Sequence, residues 1–96
     1  MTKSELIEAL SSELNITFTN ATGIVNTILD SMTDELVNGG NVEIRGFGSF
    51  TVREYAPYTG RNPNTGKKVY VKAKKLPVFK VGKALREAVD FGAIKN

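Results

Sequence analysis

The segment spanning residues 55–75 of this chain has almost nothing to bury, and that limits what the rest can become. Val69 and Val71 alternate with Lys68, Tyr70 and Lys72, Lys67, Lys74 and Lys75 flank them, and Asn62-Pro63-Asn64-Thr65-Gly66 sits at the middle. Pro63 presets the second position of a type I turn and Asn64 suits the third. Gly66 can take the left-handed residue that follows in a three-residue hairpin loop. The spacing predicts a two-stranded ribbon with Pro63 at its tip. About ten residues per strand at ~3.3 Å each give an arm of roughly 30 Å, close to one turn of duplex DNA. A lone hairpin is marginal in water, so the arm is expected to be mobile until it binds something.

Setting the arm aside leaves roughly 75 residues, too few for a generous core. Yet Met32, Leu36, Phe47, Phe50, Phe79 and Phe91 all need covering. A self-complementary interface with a second chain is the simplest solution. Met32, Leu36, Phe47, Phe50 and Phe79 are the expected dimer core.

Charge separates along the chain. Residues 1–44 carry one base (Lys3) and seven acids, a net of −6, whereas residues 45–96 carry twelve bases and three acids, a net of +9. Residues 55–86 hold nine bases and no acid. A solvated surface usually mixes signs, so this segment reads as the footprint of a polyanion binder.

Other functions are excluded by what is missing. The 96 residues contain no Cys and no His. Disulfides, thiolate metal sites, imidazole bases and histidine-based triads are therefore out of reach, and Asp34 and Glu35, adjacent on a helix, point different ways. No enzyme, metal or cofactor is expected. Apolar runs of two or three residues cannot span a bilayer. The opening Met1-Thr2-Lys3-Ser4-Glu5 leads into an amphipathic stretch, so neither a secretion signal nor a membrane partner is expected.

The elements follow from periodicity. Thr2 and Glu5 form a capping box ahead of an apolar stripe of Leu6, Ile7, Leu10 and Leu14. A second helix starts near Thr17 or Thr19, runs Ala21, Ile24, Val25, Ile28, Leu29, Met32 and Leu36 down one face, and stops at Asn38-Gly39-Gly40. The period then drops to two. Val42 and Ile44 mark one strand, Gly46-Phe47-Gly48 a turn, Phe50 and Val52 a second strand, and residues 76–81 a third. A last, short helix begins around Gly82, with Ala84, Leu85, Ala88 and Val89 on its apolar face. The expected fold is α+β in a single domain over residues 1–96: two N-terminal helices, a three-stranded antiparallel sheet, a protruding arm and a C-terminal helix.

A basic ribbon can pair Lys67, Lys68, Lys72, Lys74 and Lys75 with phosphates along a groove. Pro63 offers a compact apolar ring as a wedge between base steps. Arg61 is placed to enter a minor groove, whose potential favours guanidinium. Asn62 and Asn64 can read minor-groove acceptors, although turn geometry alone also explains both. Lys80, Lys83 and Arg86 lie near a helix start that favours phosphate. For Arg86, ordinary helix-surface charge explains the position equally well.

Three stretches carry a resemblance: Gly46-Phe47-Gly48-Ser49-Phe50, Gly60-Arg61-Asn62-Pro63-Asn64-Thr65-Gly66 and Phe79-Lys80-Val81-Gly82-Lys83. Together they resemble the bacterial histone-like HU / integration host factor family across essentially the whole chain. The opening Met1-Thr2-Lys3-Ser4-Glu5-Leu6-Ile7-Glu8 and the stretch Glu43-Ile44-Arg45-Gly46-Phe47-Gly48-Ser49-Phe50 look more like the β-subunit branch of integration host factor than like HU. The resemblance implies an intertwined dimer whose arms embrace DNA in the minor groove while the tip prolines intercalate and bend it. It also implies that Arg45 is a minor-groove contact from the body and that Lys3, Arg53, Lys75, Lys80 and Lys83 meet phosphates. This chain departs from the family's pattern at Tyr55, Tyr58 and Thr59, where many relatives are basic, and at Lys67 and Lys68, where an acid is frequent. Val81 stands at the family's usual Pro.

The expected function is non-enzymatic bending, wrapping and compaction of double-stranded DNA in the bacterial nucleoid, with low or modest sequence specificity. The partner chain is a second copy or a related subunit. Two rivals stay open: a sequence-selective subunit acting in a heterodimer, and an RNA-binding protein with a basic hairpin.

Overall fold

In a computed structural model describing residues 1–95, with side chains through residue 92, the chain forms three helices and five strands. Helix α1 spans Lys3–Leu14 and opens on the expected box: Thr2 Oγ1 accepts from the Glu5 amide, and Glu5 Oε1 accepts from the Thr2 amide, each at 3.1 Å. It ends on Asn15 in the left-handed conformation, where the Ile16 amide reaches back to the Ser11 carbonyl at 3.1 Å. Helix α2, Phe18–Val37, is capped by Thr17, whose hydroxyl accepts from the Asn20 amide at 3.1 Å.

Strand β1 (Val42–Ile44), β2 (Gly48–Tyr55) and β5 (Lys74–Val81) make an antiparallel sheet in the order β1-β2-β5. Strands β3 (Tyr58–Arg61) and β4 (Lys68–Val71) pair only with each other and form the arm. Helix α3, Lys83–Lys95, follows β5 directly and at 13 residues is no shorter than α1. No helix among the described residues is long and apolar enough to cross a membrane.

The central sheet reaches further toward the arm than alternation alone predicts. β5 starts at Lys74 rather than Leu76, and the β2–β5 ladder runs to Tyr55↔Lys74. Pro57 has no amide to donate, and the ladder breaks there before resuming at Tyr58↔Val71. The break inserts no residue. Tyr58↔Val71 lies three steps beyond Tyr55↔Lys74 on both strands, so the arm keeps the sheet's register.

Among the described residues only Ile7, Ala21 and Val25 are buried, all where α1 meets α2, with Leu10 and Ile16 packed against them. Around the sheet, Phe50 meets Phe79 with ring centroids 4.8 Å apart, and Phe47 meets Phe79 at 5.7 Å. Phe47 and Phe79 nevertheless remain 44% and 42% exposed. Met32 and Leu36 are half-buried, and Ile24, Ile28 and Leu29 of the same helix face are exposed. The accessible surface is 8021 Å², against roughly 5,400 Å² for a folded monomer of this mass. The radius of gyration is 19.1 Å, against about 12–13 Å for a compact chain of this length. Part of the excess is the arm. The rest is apolar body that a single chain leaves uncovered.

Candidate nucleic-acid interface

Constant register divides the ribbon into two faces, because opposed residues share a face and successive residues alternate. On one face lie Ser49 with Lys80, Arg53 with Leu76, Tyr55 with Lys74, Thr59 with Tyr70, and Arg61 with Lys68. The unbroken register carries Lys72 to this face as well. The opposite face holds Phe50 with Phe79, Val52 with Pro77, Tyr58 with Val71, and Gly60 with Val69. Arg53, Lys80, Lys74, Lys72, Lys68 and Arg61 therefore form one stripe from the body to the arm's end. All six are exposed.

The stripe is costly to a free chain. Arg61 stands directly opposite Lys68, and a like-charge pair across strands is destabilising. Near the root, the Lys74 ammonium lies 5.8 Å from the centre of the Tyr55 ring. Lys75 belongs to the other face, where its Nζ lies 3.4 Å from Glu54 Oε1 in a pair exposed on both sides. Such exposed pairs are worth about 0–1 kcal/mol, so the contact holds Lys75 only weakly.

At the tip the loop has four residues, 63–66, rather than three. The Asn62 amide donates to the Lys67 carbonyl at 2.9 Å, and the Gly66 amide donates to the Asn62 carbonyl at 2.7 Å. Gly66 takes φ +70°, the left-handed conformation expected of it. The Asn62 side-chain oxygen accepts from the Asn64 amide at 2.9 Å, and Thr65 Oγ1 accepts from the Lys67 amide at 3.3 Å. Pro63 and Asn64 are exposed at the end of this closed loop.

Arg45 sits in the turn between β1 and β2, which is fixed by backbone contacts that leave no residue pattern. The Gly82 amide donates to the Phe47 carbonyl at 2.8 Å, and the Leu85 amide of α3 donates to the Gly46 carbonyl at 3.0 Å. The approach is close enough that a Cβ on Gly48 would lie 2.6 Å from the Lys80 carbonyl oxygen, and one on Gly82 would lie 3.1 Å from the Phe47 backbone. This latch sets Arg45, Lys80 and Gly82 around one open concavity. Lys83 opens α3 beside it, with Arg86 one turn on. Lys3, the first residue of α1, belongs to the helical part of the fold, and Lys67 follows the tip loop.

A helical base, a small sheet and a paired arm with one cationic face present a surface suited to a long polyanion. The chain belongs to the bacterial DNA-binding protein family, whose model matches residues 1–90. That family is non-enzymatic. The chain is 50% identical over 91 residues to integration host factor subunit beta of Ralstonia nicotianae, a match covering 94% of this chain and 66% of that protein. It is 44% identical to DNA-binding protein HU-beta of Serratia marcescens over 94% of this chain and all of that one. Among solved structures, an HU–DNA cocrystal structure from Anabaena superposes with TM-score 0.83 at 35% identity, covering 93% of this chain and 97% of that one.

Proposed function

We propose that two copies of this chain form one body and grip duplex DNA between their arms, bending it by inserting the Pro63 ring between base steps. The observation that carries this reading is the acid-free stripe from Lys80 to Arg61 ending at an exposed proline. Arg61, Asn64 and the free amide of Asn62 face the minor groove at the tip, and Arg45 meets it from the body. Lys3, Arg53, Lys67, Lys68, Lys72, Lys74, Lys75, Lys80, Lys83 and Arg86 neutralise phosphates. Insertion costs a few kcal/mol of unstacking, which the bent duplex offsets by lying against more of the basic surface.

The dimer draws support from the uncovered rings of Phe47 and Phe79 and the open face of α2. Met32, Leu36 and Phe50, half-buried in one chain, complete its core. Similarity to a host-factor β subunit supports a related subunit as an alternative partner, and native mass spectrometry with a ~35-base-pair duplex distinguishes the two. On this reading the protein acts at the bacterial nucleoid, with low or modest sequence preference.

The test has two parts. With six or more phosphates neutralised, log affinity plotted against log salt falls with a slope of about −5 or steeper, and a slope near zero ends the proposal. In the second, fluorescence transfer between duplex ends reports bending. Pro63→Ala reduces bending more than affinity, and equal bending by that variant removes the wedge while leaving the grip.

A further inference from the structure

We propose that Asn62 acts as a positioning residue that holds the Pro63 ring in its wedge geometry, rather than chiefly as a reader of bases. The inference rests on the wedge reading above and deepens it.

Asn62 commits nearly every polar group it owns to closing the loop. Its amide donates to the Lys67 carbonyl at 2.9 Å, its carbonyl accepts from the Gly66 amide at 2.7 Å, and its Oδ1 accepts from the Asn64 amide at 2.9 Å. The first two bonds belong to the backbone, so any residue here supplies them. The third belongs to the side chain. It ties the residue before Pro63 to the residue after it, and so fixes the direction in which the ring leaves the arm. Asn62 is half-buried where Arg61, Pro63 and Asn64 are exposed, as suits a residue turned into the loop. Only its amide nitrogen remains for DNA.

Short polar side chains that accept from the amide two residues on mimic a backbone turn, and Asp does so as well as Asn. A base-reading role needs the Asn amide nitrogen as a donor, whereas a positioning role needs only the oxygen. The conservative variant therefore separates the two.

The experiment compares the whole protein with Asn62→Ala, Asn62→Asp and Pro63→Ala. In the free protein, exchange of the Asn64 amide with solvent is followed by NMR. On a duplex at saturating protein and low salt, bending is followed by fluorescence transfer. Positioning predicts that Asn62→Ala loses Asn64 protection and bends like Pro63→Ala, with affinity reduced about threefold to tenfold. Asn62→Asp keeps both the protection and the bend, although its added charge lowers affinity. Asn62→Asp bending as poorly as Asn62→Ala overturns the proposal, because the nitrogen is then what matters. Unchanged Asn64 exchange in Asn62→Ala overturns it too. If Pro63→Ala bends like the unaltered protein, the wedge itself fails, and the exchange measurement still reports whether Asn62 closes the loop.

Discussion

The body and the arm are incomplete in opposite ways. The body has apolar surface without a partner: Phe47, Phe79, Ile28 and Leu29 are all 41–54% exposed. The arm has charge without a partner, with Arg61 against Lys68 and no acid on their face. Hydrophobic area is satisfied by a second protein surface and is indifferent to salt at ordinary concentrations. Phosphate pairing is satisfied by a polyanion and weakens steeply with salt. The two regions should therefore respond to different solution conditions and to different substitutions, with little crossover.

The largest effect belongs to the body. Phe79→Ala removes the ring that meets both Phe47 and Phe50. Truncating a core Phe costs about 3–5 kcal/mol, and each kcal/mol moves the melting temperature of a domain this size by about 4–8 °C. The variant is expected to melt more than about 10 °C lower, with dissociation visible by sedimentation at micromolar concentration. Pro63→Ala should leave melting within about 2 °C, since Pro63 is exposed at the end of the arm and exposed substitutions away from the core change stability little. A Phe79→Ala protein that still melts and associates normally would break the contrast between the regions.

Much of this division is visible in the sequence, and the part that is not has a physical cause. Periodicity locates the helices and the body strands, apart from the two extra residues with which β5 opens, because apolar spacing switches from the helical to the strand period at residues 38–41. Charge locates the arm because residues 55–86 contain no acid. Which arm residues share a face depends on the length of the tip loop, since a shift of one residue moves a strand's side chains to the other face. The three-residue loop expected from Pro63, Asn64 and Gly66 would put Arg61 with Val69 and Val71. The observed four-residue loop puts it with Lys68 and Tyr70. Turn propensity does not separate the two lengths, because Gly66 is left-handed in either. The latch between α3 and the β1–β2 turn was equally hidden, as backbone bonds between distant segments leave no residue pattern beyond a glycine.

An intermediate effect sharpens the arm's half of the contrast. Removing either member of the Arg61–Lys68 pair should act with opposite signs on the free and bound protein. Lys68→Ala relieves the repulsion across the strands and raises the amide exchange protection of the ribbon by a few tenths of a kcal/mol. On DNA it removes one phosphate contact and makes the salt slope shallower by about 1. Melting of the body stays where it was. A variant that both orders the free arm and keeps the full slope would show that Lys68 faces away from the phosphates.

The smallest expected effect probes the seam between the regions. Glu54 is the one acid on β2, and its carboxylate lies 3.4 Å from Lys75 on the face opposite the basic stripe. Exposure on both sides limits the pair to about 0–1 kcal/mol, so Glu54→Gln should leave melting essentially unchanged. Binding should improve by up to about fivefold at low salt, since 1 kcal/mol corresponds to a factor of about 5. Two effects add here: Lys75 no longer has to leave a partner to reach a phosphate, and one negative charge near the duplex is gone. Both are electrostatic, so the gain should shrink as salt rises toward a Debye length of about 8 Å. A gain that survives high salt, or a melting shift of several degrees, would mean that Glu54 supports the sheet itself, and the boundary between apolar body and charged arm would then lie beyond Glu54, nearer the tip.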